Sequence, residues 1–434
     1  MRFLAAVLFL AVVLSVATAG CRAQKIEPIT IEVWDGPRPD PSGDKFAWVE
    51  SRIAEFRRKY PDVTVNLTKV SWQEMVSRLD QQLVAGRWPD IVPLFVGAGG
   101  IKYERVNEGL VEPTDGVLSQ ADLSDIYPAA KEAFSAGGRL YGFPMGMRMH
   151  VMLLNLEIFR ERGVEPPQGG RWTFDEFVDK AKKLTFLRGK QKTPVYGFAT
   201  YVQKGYYEVW PFLYMDGARP LSPDLATFTF DSREAISALQ RIVDLKYKAK
   251  VTAPETGSSD HGGVWHAFAS PLERRVAVEP WADWAILLAA TDPRFKTDIM
   301  VAEYPVGASK KPVTIGSVSG FSVLKQSSPA KRKLTMQLAA ALSGPDQQEY
   351  FASRYGLLPA RRSVARDAGF PHPEIKRAAA FLDEVEILPQ HPQWVQIENS
   401  INAQIQAALL GEKTPEQALK DARREVEALI SLPQ

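Results

Sequence analysis

The sequence predicts an α/β fold. Strand and helix signals alternate from residue 29 onward, most helical stretches carry their own start or stop signal, and helical spacing continues to the end of the chain. "ITIEVW" (29–34) alternates apolar and polar residues and is rich in β-branched side chains, the pattern of a half-buried strand. Val49, Ile53, Phe56 and Tyr60 then recur at spacings of four, three and four, a helical stripe stopped by Pro61. "VTVNL" alternates again. Ser71 and Glu74 form a capping-box pattern opening the next helix, which closes at Gly86. "PDIVPLF" follows as a buried strand, with Asp90 read as a structural residue at the turn into it.

Similar punctuation recurs downstream. Thr173 and Glu176 in "WTFDEF" predict a capping box, with Trp172 and Phe177 as its hydrophobic staple. Ser328 and Thr414 each precede a proline at a first helical position. Leu419, Ala422, Val426 and Leu429 share one face of a final helix. "GGRLYGFP", "GSVSG" and "GLLPAR" are the places where the chain is expected to change domain.

The first twenty residues read as an export signal: Arg2, an apolar run from Phe3 to Leu14, then small residues. The run is too short for a comfortable membrane span. Cys21, the only cysteine, follows Ala19-Gly20 and resembles the lipobox of bacterial lipoproteins, although Thr18 replaces the usual leucine. Lipidation of Cys21 is expected, with plain signal cleavage as the alternative; either way the mature protein works outside the cytoplasm. Residues 22–28, "RAQKIEP", look like a tether. With 53 Lys+Arg against 51 Asp+Glu there is no basic field for nucleic acid.

"FRRKYPDVTVN", "GRWPDIV", "GGRLYGFPMGMRMHVMLLNLEIF", "WTFDEFVDKAKKLT", the Trp281 region and "GEKTPEQALKDA" resemble, in this order, the extracellular solute-binding proteins (family 1, carbohydrate or maltose type) of ABC importers. The resemblance covers essentially all of residues 29–430. It implies a periplasmic-binding-protein type II fold, two α/β lobes with a ligand cleft and hinge crossings. The crossings map to Pro144–Met147, Gly316–Gly320 and Leu358–Arg361. The chain then divides into a signal peptide (1–20), a tether (21–28), an N-terminal lobe (29–144 and 320–357) and a C-terminal lobe (145–319 and 358–434). The family further implies delivery of a carbohydrate to ABC permease subunits driven by a cytoplasmic ATPase; a monomer anchored to the membrane through lipid on Cys21 is expected, with no cofactor, metal or catalytic residue.

A sugar presents C–H patches on its ring faces and hydroxyls around its edge. Flat aromatics cover the first, and planar polar side chains fork onto the second. In "VEPWADW" (278–284) the family's strand-then-tryptophan pattern makes Trp281 the stacking ring and Trp284, one helical turn on, core; Asp283 and Glu279 flank it as hydroxyl ligands, Glu279 with uncertain exposure. Tyr207 and Trp210 match a family aromatic three residues before a Trp-Pro pair, Tyr207 being the better contact. Asp35 and Arg38, in the loop after the first strand, match polar family contacts, with Trp34 at its edge. Arg148 stands four residues past Pro144, where maltose-type relatives carry an acid; it suits either two hydroxyls or a carboxylate, which opens an anionic sugar, or is a plain surface arginine. Trp394 and Glu398 share a helical face, and one of the two is expected in the cleft. Gly205, Glu398 and "VGAGG" (96–100) depart from maltose-type relatives and argue against a maltose-like specificity.

Two other function classes fit the residues. Glu279 and Asp283 can be drawn as the acid and nucleophile of a glycosidase, although a strand-to-helix join does not hold a bond between them. No P-loop, HExxH, G-x-S-x-G or dinucleotide fingerprint accompanies them, and His261 and His266 lie outside helical zinc spacing, as expected of loop residues. The remaining readings are a receptor for a non-sugar or anionic solute on the same fold, and a scaffold lipoprotein with a closed cleft.

Overall fold

The computed structural model describes residues 28–96, 106 and 108–431. Cys21, the tether and most of "VGAGG" lie outside the described residues. Thirteen strands are described: β1 (Ile29–Asp35), β2 (Val63–Lys69), β3 (Ile91–Val96), β4 (Ser135–Ala136), β5 (Arg139–Leu140), β6 (Phe143–Asn155), β7 (Phe186–Arg188), β8 (Thr193–Val195), β9 (Val278–Ala282), β10 (Ile299–Ala302), β11 (Thr314–Val323), β12 (Leu358–Pro359) and β13 (Val385–Ile387). Nine of them form one sheet whose main path is β10-β6-β11-β3-β1-β2, with β9 and β12 also on β6 and β13 on β11. β4–β5 and β7–β8 are separate hairpins.

The parallel β1, β2 and β3 are joined by the predicted helices, Ala47–Lys59 and Trp72–Val84. Val49, Ile53 and Phe56 are buried and Tyr60 closes the first helix, as their spacing predicts. Ser71 departs from expectation. Its hydroxyl donates to the Glu74 carboxylate at 2.8 Å instead of accepting from the backbone, so this capping box does not close. The Thr173–Glu176 box does close, with the Trp172 and Phe177 rings 5.3 Å apart beside it. Asp90 is structural: its carboxylate accepts from the Glu32 amide at 2.8 Å and pairs with Lys331.

β6 organises the rest. Its first half runs beside β11 and β12, and its second half lies between β9 and β10. The three segments predicted as crossings therefore sit side by side, with Gly316 facing Met149, Ser319 facing Gly146 and Leu358 facing Met147. One apolar core, with Ile31, Val49, Phe56, Phe321 and Phe351, draws on residues 31–145 and 321–351. Another, with Trp210, Phe228, Ile401, Leu419 and Val426, draws on 152–315 and 388–426. Trp281 belongs to a third that spans both regions. Among the described residues no helix is long and apolar enough to cross a membrane.

Gly316 is there for close approach rather than for backbone freedom. A Cβ at this position would lie 2.3 Å from the Arg148 carbonyl oxygen and 2.5 Å from the Val385 side chain. Neither the sheet backbone nor the buried valine can yield easily. Gly316→Ala is expected to destabilise the protein by about 1–3 kcal/mol, the usual range for overpacking. Urea denaturation checks this; an unchanged midpoint would show that β6 and β11 separate readily.

Candidate ligand cleft

Strand alternation builds the floor. Along β6, Gly146, Arg148 and His150 are partly exposed while Met145, Met147, Met149 and Val151 are buried. Period two puts the exposed set on one face. On β11, Ser317 and Ser319 face the same way, opposite Arg148 and Gly146 in register. Two hollows flank this floor and share Arg148 and Ser317. One, of about 170 Å³, is walled by Arg38, Trp72, Gln348 and Phe351. The other, of about 270 Å³, is walled by Tyr206, Tyr207, Glu208, Trp281, Trp284 and Leu388. Arg148 stands where they meet.

The two tryptophans of "VEPWADW" exchange their expected roles in part. Trp281 touches the hollow but is 97% buried, leaving 3% exposed. Its ring is clamped by Trp265 at 5.0 Å, Tyr201 at 5.6 Å and Trp284 at 6.1 Å. Trp284, expected in the core, is 48% exposed at the mouth of the same hollow. The reason is local. β9 continues through Ala282 and the helix starts only at Ala285, so the two rings are not related by a helical turn.

Every acid put forward to take hydroxyls is sealed or tied inside the protein. Asp35 is fully buried and holds Arg38 at 3.1 Å; burial pushes its carboxyl up, and the guanidinium pulls it back. Asp283 is 4% exposed, accepts from Arg148 Nη1 at 3.0 Å and takes the Met149 amide at 3.1 Å. Glu398 accepts from the Tyr207 hydroxyl at 2.6 Å, the Gly205 amide at 2.7 Å and Asn402 at 3.2 Å. Glu279 is fully buried, and neither of its oxygens has a hydrogen-bond partner. Burial, reinforced by Glu208, pushes its carboxyl well above the usual range and so favours its neutral form. With Glu279 in the core and Asp283 bound to Arg148, the acid–nucleophile pair drawn from sequence does not face the cleft.

Trp210 and Trp394 are core residues, not walls of the cleft. Trp210 is fully buried, donates to Asn402 at 3.1 Å and stacks on Phe230; Trp394 packs against it at 5.7 Å. Of Trp394 and Glu398, then, neither lines the hollows, and Glu398 acts from behind by holding Tyr207. Tyr207 lines its hollow, and Arg38 lines the other beneath the rings of Trp48 and Trp72, at 5.1 and 5.2 Å. His261 and His266 are helical, not loop, residues, because Asp260 caps His261–Ala269 despite the two glycines. His150, Ser317, Tyr206 and Trp72 were missed as cleft residues. Alternation from Arg148 is a signal that reaches His150; the others depend on how strands pair.

His150 Nδ1 donates to the Ile315 carbonyl oxygen at 3.0 Å, and its Nε2 lies 3.6 Å from Glu208. Burial, the largest influence, lowers its pKa, but Glu208, the Ile315 carbonyl and Asp283 together outweigh it and the net direction is upward. Among the described residues no three His, Cys, Asp or Glu side chains stand together to hold a metal ion.

A family model described as bacterial extracellular solute-binding protein matches residues 51–382. The chain belongs to the bacterial extracellular solute-binding proteins. A putative binding protein of Brucella abortus (strain 2308) is 23% identical to this solute-binding protein over 386 residues, 86% of this chain and 88% of its own. The arabinooligosaccharide-binding protein of Bacillus subtilis (strain 168) is 26% identical over 192 residues, 42% of each chain. Among solved structures, the cyclic alpha-maltosyl-1,6-maltose binding protein from Arthrobacter globiformis matches with a TM-score of 0.77 at 19% identity, over 93% of this chain and 99% of that one. The solute-binding protein thus has the periplasmic-binding-protein fold expected from its sequence, two α/β lobes with a cleft between them.

Glu398 offers a test of how the cleft is held. Glu398→Ala leaves the Tyr207 hydroxyl, the Gly205 amide and Asn402 short of a partner. A loss of about 1–3 kcal/mol in stability is expected from these unpaired groups. Ligand affinity should fall about tenfold as Tyr207 loosens, equivalent to about 1.4 kcal/mol. Unchanged melting and affinity would show that Tyr207 is fixed by packing alone.

Proposed function

We propose that this solute-binding protein captures a sugar or oligosaccharide in the cleft floored by β6 and β11 and delivers it to the permease of an ABC importer. The observation that carries the reading is the hollow beside Arg148, where Trp281, Trp284, Tyr206 and Tyr207 form an aromatic wall against a polar strand floor. Rings cover the C–H faces of a sugar; Arg148, Ser317 and backbone groups meet its edge. The sugar ligands named for the Bacillus and Arthrobacter proteins support the same class.

Capture follows from lobe closure. We place the lobes at 29–144 with 320–357 and at 145–319 with 358–434, joined where β6, β11 and β12 lie together. A ligand that contacts both hollows binds the closed form better than the open one, and that difference in affinity shifts the population. The closed form is what the permease recognises. Lipid on Cys21 would keep the receptor at the membrane surface beside it. Nothing in this cycle makes or breaks a bond in the sugar.

A thermal-shift screen of the protein from Arg22 onward, against neutral and acidic oligosaccharides, polyols and small anions, tests the reading. Only a ligand that prefers the folded state raises the midpoint. A saturable rise with one sugar class supports it. A rise with a small anion and none with any sugar would replace it with an anion receptor.

A further inference from the structure

We infer that the sugar recognised here carries a carboxylate, and that Arg148 is the residue that reads it. The inference rests on the sugar-capture reading and narrows it to acidic sugars.

A neutral sugar edge is a row of hydroxyls, each able to donate, and a site for it needs acceptors. Among the described residues that line the two hollows, Glu208 is the only acid; it is 2% exposed and faces His150. Asp35, Asp283, Glu279 and Glu398 do not line either hollow. Gln348 is occupied as well: its amide donates to Pro144 and Ser343 carbonyls, and its oxygen accepts from the Ala360 amide. Among the described residues, the two hollows thus offer a ligand donors such as Arg148 but no exposed carboxylate acceptor.

Arg148 is the strongest of those donors. It is the charged side chain shared by both hollows, and its side chain is 42% exposed. Asp283 engages Nη1 from the protein side at 3.0 Å. No other hydrogen bond of its guanidinium is found among the described residues, which leaves the Nε–Nη2 edge for a ligand. That edge is a planar two-donor fork, and it matches the two oxygens of a carboxylate in one plane. Asp283, itself held by the Met149 amide, pre-orients the fork. It also offsets much of the guanidinium charge, which suits a monoanion better than a phosphate of nearly two charges. The aromatic wall on the same hollow supplies the sugar-ring contact that a simple carboxylate would not use.

The test is titration calorimetry with galacturonate, glucuronate, mannuronate and guluronate disaccharides and their carboxyl-reduced counterparts. At least one uronate is expected to bind about 100-fold more tightly than its reduced form. Arg148→Met should remove that preference, so that a uronate and its reduced form then bind within about threefold of each other. Arg148→Lys keeps the charge without the fork and is expected to lose about tenfold for the uronate. Melting of each ligand-free variant separates a binding effect from unfolding, and the circular dichroism of both variants should match the parent. Reduced sugars binding as tightly as their uronates, or Arg148→Met and Arg148→Lys both retaining full uronate affinity, would overturn the inference and leave sugar capture standing. Neither class binding to cooperatively melting protein would overturn the sugar-capture reading itself.

Discussion

Replacing Trp281 by alanine is expected to remove about 3–5 kcal/mol of folding stability, the range for truncating a buried large aromatic. The ring is 97% buried, being 3% exposed, among Tyr201, Trp265, His261 and Trp284, and its backbone is paired to Val151 in the strand that floors the cleft. Removal opens a cavity that a sheet and four neighbouring rings cannot collapse to fill. Sugar affinity should fall too, but as a consequence of a disordered wall. Trp284→Ala is the contrasting case. Its ring is 48% exposed, so stability should change by less than about 0.5 kcal/mol. Sugar affinity should nonetheless drop about thirtyfold, which corresponds to the roughly 2 kcal/mol typical of an aromatic anchor. Denaturation and calorimetry on both variants separate the roles. If Trp281→Ala melts like the parent, or Trp284→Ala binds sugar at full strength, the assignment of buried support and rim is wrong.

Glu279 should make the protein lose stability as pH rises. In the folded state burial and then Glu208 push its carboxyl well above the ordinary 4.5, so it keeps its proton where the unfolded chain has lost it. Folding then takes up a proton. The stability associated with this group is complete below pH about 4.5 and is lost progressively as pH climbs toward the folded-state value. Glu279→Gln removes the titration and keeps the shape. The stability difference, variant minus parent, is expected to grow with pH above 5 by up to about 1.4 kcal/mol per unit. Glu384, raised to about 9 by burial and by Glu303, titrates in both proteins and cancels in the difference. A difference that stays constant between pH 5 and 8 would show that Glu279 is ionised, with water or a cation beside it.

Much of the fold was legible because it rests on local chemistry. Val49, Ile53 and Phe56 make a buried stripe in the sequence and in the structure alike, and Thr173 closes its capping box three residues from its partner. Glycine and proline marked "GGRLYGFP", "GSVSG" and "GLLPAR" as places of domain change, and the family resemblance put the crossings at Pro144–Met147, Gly316–Gly320 and Leu358–Arg361. The cleft was less legible. Arg148, Tyr207, Arg38 and Trp281 do touch it, but Asp35, Asp283, Glu398, Trp210 and Trp394 lie behind it or in the core. A carboxylate on the wall and one just beneath it look alike in a sequence, because the difference is a partner from another element. Asp283 meets Arg148 across 135 positions and Glu398 meets Tyr207 across 191.

The sequence by itself determined the α/β class, the first strands and helices in their order and the kinship that goes with them, since periodicity, caps and turn residues act within a few positions. The tertiary structure alone decided which tryptophan is buried and which stands at the rim, that the acids put forward are tied inside the protein, and that Arg148 stands between two hollows. Those outcomes depend on where β9 stops, on the register of β6 with β11, and on the glycine that lets the two strands touch. Register and burial arise from contacts between residues far apart in the chain, and burial is what turns a polar side chain from a ligand contact into a support.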